Sequence, residues 1–373
     1  MTKAVNIVSF NIPYPPNYGG VIDVFFKIKA LNEAGFEIYL HTFIYDRTPS
    51  EELKRFCKKI YYYKRNTGII YNFSLLPYIV YSRKNKELLY NLNLNAHPII
   101  FEGLHTCYYL GHKSLKDRRC IYRESNIEHE YYKHLANAET SFWKSSFYRI
   151  EALKLKYFEK KINNAELILA VSKDDAEYLQ NKYPSKKVHF LPSFKGSGSV
   201  LTQKGKGQFI LYHANLRVAE NKKAGLYLIN NVFSKIKHPC VVAGLGPDQD
   251  LFSAADKYSN ISIKADLSNE EMDQLISNAH IHVMCTFQPT GLKLKLMNAL
   301  FKGRFCIVNE EMLAGTGLEI LCEVVNKPGD FVDAINRTML KEFTQDIIDR
   351  RNKVLSSFTD AYLAEALIKE LTY

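Results

Sequence analysis

Residues 281–309 read IHVMCTFQPTGLKLKLMNALFKGRFCIVN. The apolar run 281–285 has the length of a buried strand, and Pro289 and Gly291 break the chain after it. Leu292, Leu296, Ala299 and Gly303 then recur at helical spacing, so a helix over 292–302 lays that face on a sheet. A second apolar run follows at 305–309. Strand, helix and strand in so short a length form a βαβ unit, which requires a parallel sheet with helices on its faces.

The same alternation extends outward. Upstream lie FILYHA (209–214), a helix over 221–237, PCVVAG (239–244), ISIKA (261–265) and a helix over 269–279. Downstream, helices over 343–356 and 360–371 have no strand between them. The first half repeats the pattern. AVNIVSF is followed by the turn PYPPNYGG, a helix over 21–34 that Gly35 ends, and the strand FEIYLHTF. Further strands are KKIYYY (58–63), HPIIFEG (97–103), CIYRE (120–124), AELILAV (165–171) and KVHFLP (187–192), with helical periodicity over 128–161. Between the halves, SFKGSGSVLTQKGKGQ (193–208) has the composition of a linker. With 373 residues, more than one hydrophobic core fills, the chain is read as two Rossmann-like α/β domains, 1–195 and 196–350. The helix in 351–373 is expected to pack back towards the first.

Composition narrows the function. Seven cysteines stand singly with no CxxC pair, which fits reduced thiols rather than a disulfide framework or a zinc site. No stretch approaches the roughly 20 apolar residues of a membrane span, and the start lacks the pattern of a signal peptide. The expected location is the cytoplasm. The net charge of +11 lies wholly in residues 1–200, which suggests an anionic partner for that half.

Several motifs carry chemistry. Gly19 and Gly20 stand where backbone amides at a helix N-terminus could approach a phosphate. The pattern is not GxGxxG, and the second strand ends in His41-Thr42-Phe43 without the acidic residue of a dinucleotide site, which argues against a nicotinamide oxidoreductase. Asp248-Gln249-Asp250 resembles a metal-holding Asp-x-Asp, but after Pro247 it reads as acids at a helix start. Ser172 and Asp175 read as a helix cap. Lys293 and Lys295, by contrast, sit in or beside a first helical turn, where positive charge opposes the helix dipole unless an anion is present. Lys295 and Asn298 share a face. This is the pattern expected of a diphosphate site.

The segment around Gly291, Lys293, Lys295 and Ala299, with the strand after it, resembles the donor-site signature of glycosyltransferase family 4. Gly19-Gly20, Arg123-x-x-Asn126-x-Glu128, AVSKDD, the stretch from Asn215 to Asn221 and Gly315–Glu319 resemble further segments of that family, above all in bacterial surface-polysaccharide glycosyltransferases. The resemblance implies a GT-B fold, with two Rossmann-like domains whose parallel sheets face each other across a cleft. It implies an acceptor-binding first domain, a nucleotide-sugar-binding second domain, and retention of anomeric configuration. The chain departs from the family's Glu-x7-Glu pair: Asn298 replaces the second glutamate, and Gln288 is the substitute for the first. Asn215 and Lys222-Lys223 replace its Gly-Arg…Lys-Gly.

The expected reaction is transfer of a hexose-type sugar from a UDP- or GDP-sugar to a glycan or lipid-linked acceptor, with no cofactor and no metal required. Donor-binding residues are expected to be Gly19, Gly20, Asn215, Lys222, Lys223, Gln288, Gly291, Lys293, Lys295 and Asn298. His105, Arg123 and Glu124, after two central strands, are the catalytic candidates. The rivals are a nucleotide-sugar epimerase on the same scaffold and a basic nucleic-acid binder, although no nucleic-acid-binding signature is visible. Residues 54–86 combine Lys54, Arg55, Lys58, Lys59, Lys64 and Arg65 with thirteen mostly apolar residues at 69–81, closed by Arg83, Lys84 and Lys86. That composition suits partial insertion into an anionic membrane, here the inner face of the plasma membrane.

Overall fold

The computed structural model of the chain describes residues 3–139, 141–287 and 293–372. They form two compact units, residues 3–196 with 358–372, and residues 197–287 with 293–357.

The first unit holds seven strands, β1 (Ala4–Ser9), β2 (Glu37–Ile44), β3 (Lys59–Lys64), β4 (Ile99–Glu102), β5 (Cys120–Arg123), β6 (Leu167–Ala170) and β7 (Lys187–Phe190). They pair in the order β3-β2-β1-β4-β5-β6-β7, all parallel. Its helices are α1 (Gly19–Glu33), α2 (Tyr78–Tyr81), α3 (Lys86–Leu92), α4 (Glu128–Ala138), α5 (Phe142–Phe158) and α6 (Lys173–Lys182). In the second unit β8 (Ile210–Asn215), β9 (Cys240–Leu245), β10 (Ile261–Ala265), β11 (Ile281–Met284), β12 (Phe305–Val308) and β13 (Glu323–Val324) pair in parallel as β10-β9-β8-β11-β12-β13. Its helices are α7 (Ala219–Asn231), α8 (Gln249–Ala255), α9 (Asn269–Asn278), α10 (Leu294–Lys302), α11 (Glu310–Leu313), α12 (Pro328–Met339) and α13 (Gln345–Leu355). Helix α14 (Asp360–Thr372) belongs to the first unit.

Each central strand is buried on both faces, as parallel strands under helices must be. In the first unit Val5 and Ile7 pack with Val24, Ile28 and Leu31 of α1 and with Leu363, Leu367 and Leu371 of α14. On the other face Val8, Ile99 and Phe101 pack with Leu88 and Leu92 of α3, Leu155 and Phe158 of α5, and Leu179 of α6. In the second, Ile210 and Tyr212 meet Leu228 of α7, Leu251 of α8 and Phe331 of α12, while Leu211 and Ala243 meet Leu275 and Ile276 of α9.

The strands expected from apolar runs are all present, and the α/β class with two parallel sheets is as expected. Some elements differ. The stretch 128–161 is two helices, because the chain turns extended at Glu139 (ψ 132°). The apolar stretch 69–81 divides into a 3-10 turn (Ile69–Phe73) and the single turn α2. Helix α12 and strand β13 were not anticipated, although Pro328 at the helix start and Phe331, Ala334, Ile335 and Thr338 at helical spacing are a legible signal.

Candidate functional site

Both sheets reverse their strand order once, between β1 and β4 in the first unit and between β8 and β11 in the second. Connections leaving the carboxyl ends at such a reversal diverge to opposite faces, and ligands bind in the crevice they leave. Most residues singled out from the sequence stand at the strand ends or helix starts around these two places.

In the first unit the chain leaves β1 through Phe10 and enters α1 at Gly19. A Cβ on Gly20 would stand 2.5 Å from the Phe10 ring, so glycine permits that approach. Leaving β4, Gly103 takes a left-handed φ of 69°, and a Cβ there would lie 3.0 Å from Nδ1 of His105. The His105 ring sits 5.3 Å from that of Phe10. Burial, reinforced by the charges of Arg83 and Arg65, holds its pKa well below the usual histidine range, so the ring is neutral at neutral pH. Glu128, at the start of α4, places Oε1 3.7 Å from Nδ1 of His105. Burial pushes its carboxyl up to about 8, with Arg83 opposing. Glu124 is buried, and its carboxyl is also raised, by burial and by Asp175; its Oε2 accepts from Val171 N at 3.2 Å. Nδ1 of His105 and one carboxyl oxygen of each glutamate lack a hydrogen-bond partner. Leaving such atoms unsatisfied costs about 1–3 kcal/mol each, a cost that a bound ligand's hydroxyls would relieve.

Arg123 is held by partners within the first unit. Its guanidinium is 1% exposed and engaged by both carboxyl oxygens of Asp23 at 3.2 Å, by Pro192 O at 3.1 Å and by Leu191 O. Burial alone would raise the Asp23 carboxyl, but the charges of Arg123 and Lys27 outweigh it and hold it at about 2. Lys27 in turn donates to Glu102 at 2.8 Å. Arg123 thus ties α1, β5 and the segment after β7 together.

In the second unit, Asn215 ends β8; its backbone carbonyl accepts from Nδ2 of Asn221 at 2.9 Å, and its side chain accepts from Arg217 N at 3.2 Å. The start of the loop after β11 is clamped. Oε1 of Glu220 accepts from Thr286 Oγ1 and from Phe287 N, both at 2.7 Å, and Asn309 bonds both backbone groups of Thr286 at 3.0 and 2.6 Å. Gln288 and Gly291 lie outside the described residues. Lys293 is the N-cap of α10, whose first turn contains no acidic residue. Lys295 is half-buried, its Nζ 3.0 Å from Oδ1 of Asn221 and 5.5 Å from the centre of the Tyr212 ring. Burial lowers its ammonium to about 8, against the influence of Cys285 and Glu220. Asn298 is half-buried nearly one turn further along the same helix.

Lys222 also has partners within its unit. It is ion-paired with both Asp248 and Asp250, so the Asp-x-Asp acids serve this lysine, and Asp248 additionally caps α8. A cation already neutralised by two carboxylates is poorly suited to a diphosphate. Lys223 is exposed, with Nζ 4.8 Å from the centre of the Phe287 ring. Sequence reasoning missed His213 and His282, buried with ring centres 5.9 Å apart and with all four ring nitrogens lacking a partner. Burial depresses both, His213 to about 4. Gly303 leaves room for His282, since a Cβ there would stand 2.0 Å from its Nε2. His213 lies in the buried run 210–213 of β8 and His282 on the fully buried β11, where polar positions give no periodic signal. Among the described residues no group of three or more His, Cys, Asp or Glu is arranged to hold a metal ion.

No family model matches the sequence. A protein of Klebsiella pneumoniae described as an uncharacterized 44.6 kDa protein in the cps region is 26% identical over 346 residues, 85% of each chain. Solved structures share the architecture from end to end. Sucrose-phosphate synthase from Thermosynechococcus elongatus superposes with a TM-score of 0.71 at 13% identity, covering 99% of this chain and 98% of that one. TarM of S. aureus, complexed with UDP, α-GlcNAc-glycerol and fondaparinux, gives 0.64 at 10% identity, and the α,α-trehalose-phosphate synthase (UDP-forming) of Burkholderia xenovorans gives 0.62 at 10%, both over the full length of each chain. The fold is therefore GT-B, the architecture of these glycosyltransferases.

Proposed function

We propose that this chain is a glycosyltransferase that moves a hexose-type sugar from a UDP- or GDP-sugar to a glycan or lipid-linked acceptor, with retention and without a metal. The observation that carries the reading is Lys295. A half-buried lysine, depressed by burial, stands in the first turn of a helix with no first-turn acid, beside the strand-order reversal of its sheet. Such an arrangement is unfavourable without an anion and favourable with one. The solved GT-B structures captured with UDP support the same ligand class, and the cps-region relative supports a surface-polysaccharide setting. Retention rests on the resemblance to family 4.

When the donor's glycosidic bond breaks, negative charge develops on the leaving diphosphate. Preorganised cations and a helix N-terminus aimed at those oxygens stabilise that charge without a metal. Lys295 carries the main part, with Lys293 and Lys223 as companions. Asn298, Asn215 and Gln288 offer polar groups to the nucleoside and the sugar. In the first unit, Gly20 leaves room beside Phe10 next to Gly19, and neutral His105 with Glu124 and Glu128 faces the acceptor side. A panel of nucleotide sugars read by thermal shift identifies the donor, since saturation at 100 Kd stabilises by about 2.7 kcal/mol. With that donor, Lys295→Ala is expected to lower transfer on the order of 10²–10³-fold, leave the unliganded Tm nearly unchanged, and behave alike with or without EDTA. Near-full transfer by the variant refutes the diphosphate placement, loss of transfer in EDTA that only metal restores refutes the metal-free route, and epimerised donor without transfer points to an epimerase.

A further inference from the structure

Helix α5 carries apolar residues on two sides. Its inner side, with Ala152, Leu155 and Phe158, is buried against the first unit. Its outer side should be polar in a solvent-facing helix. Instead Phe142, Trp143, Ile150, Leu153 and Tyr157 stand out, 54–81% exposed. The loop before α2 adds Ile70, Phe73 and Leu75, the last 95% exposed. The two are fastened together: Tyr78 N donates to Oε2 of Glu151 at 2.6 Å, and Nζ of Lys154 donates to Asn72 O at 3.2 Å. Large apolar side chains gathered in this way mark an interaction surface rather than scattered exposure.

Charge selects the partner. Every exposed charged residue of α5 and the turn continuing it is basic: Lys144, Arg149, Lys156 and Lys160. The acids of the same stretch, Glu151 and Glu159, are buried and paired, with Lys154 at 2.8 Å and with His129 at 2.7 Å. A second copy of this chain would bring the same basic face against itself across a two-fold axis, so self-association is opposed. An anionic bilayer meets both requirements, taking the apolar side chains at its headgroup boundary and attracting the lysines and arginine. The basic residues at 54–65 are a poorer anchor. Lys54, Arg55 and Lys58 are paired with Glu51, Glu52 and Glu37, and Arg65 is buried, as is Arg83 beyond the apolar stretch.

We propose that the outer face of α5, with the tip of the 70–75 loop, is a docking surface for anionic lipid membranes. Trp143 is the chain's one tryptophan, so its emission reports insertion directly. The test mixes the full chain with phosphatidylcholine vesicles with and without phosphatidylglycerol, reading fluorescence and co-sedimentation, with light scattering for oligomeric state. The expected result is a blue shift and sedimentation with the anionic vesicles alone, weakened by salt. Leu153→Glu should weaken binding by roughly ten- to a hundredfold while leaving the far-UV circular dichroism unchanged. Lys156→Glu and Lys160→Glu should each weaken it by about fivefold or more, and Lys54→Glu should have little effect. No binding to anionic vesicles, equal binding to neutral ones, binding indifferent to Leu153→Glu, or a dimer that Leu153→Glu dissociates in place of lipid binding would each overturn the proposal.

Discussion

Glu128 shows how one buried side chain turns geometry into a measurable pH effect. Its carboxyl has a folded-state value of about 8, against 4.5 for an ordinary glutamate, because burial penalises the anion. Between those values the unfolded chain loses this proton while the folded chain keeps it, so stability falls as pH rises from about 4.5 towards 8. Glu128→Gln removes that contribution. The variant's Tm should match the wild type's near pH 5 and exceed it near pH 8, and differential scanning calorimetry across that range checks it. Equal pH profiles for the two proteins would mean that Glu128 is ionised in the folded state. The motif containing Glu128 was visible in the sequence. Its contact with His105 was not, since β5 and the turn after β4 meet only in the folded sheet.

At the scale of elements, the buried group Asp23, Lys27, Glu102 and Arg123 joins α1 to β4 and β5, and Phe194 N donates to Asp23 at 2.8 Å from the segment beyond β7. Removing one partner of a buried ion pair leaves an uncompensated charge, at a cost of roughly 3–5 kcal/mol. Arg123→Met is therefore expected to lower the unfolding free energy by that amount, read from urea denaturation, and a variant with unchanged stability but lost transfer would place Arg123 in the chemistry. The sequence placed Arg123 correctly at the end of a strand. A strand-end arginine aimed at a ligand and one folded back onto a helix read the same, because the discriminating partner, Asp23, is 100 residues away. Lys222 has a similar history: its acids at 248 and 250 come from the start of the neighbouring helix.

For the whole molecule, the two units differ in how their chains close. The second is built from residues 197–287 and 293–357, whereas the first needs α14 from the far end. Leu363, Leu367 and Leu371 of α14 cover the same core as Val24 and Ile28 of α1. Their burial contributes on the order of 5 kcal/mol, a large share of a domain's net stability. A fragment of residues 197–357 is expected to unfold cooperatively by itself. Residues 1–196 alone should aggregate and become soluble when 358–373 is joined to them by a flexible linker. Circular dichroism melts and gel filtration of the three fragments check this, and a soluble, cooperatively melting 1–196 would show that α14 is dispensable.

The sequence by itself determined the α/β class, the two parallel sheets and the strands that build them, because a strand buried on both faces must be a short apolar run whatever surrounds it. It also determined that positive charge gathers at the start of α10, since spacing within one helix is a local property. Only the tertiary structure decided which charges are available. Arg123 and Lys222 are neutralised by carboxylates distant in sequence, Lys295 is half-buried against Asn221 and Tyr212, and the outer face of α5 is left uncovered. Pairing and burial depend on what the fold brings alongside, and a chain read in one dimension does not contain its own neighbours.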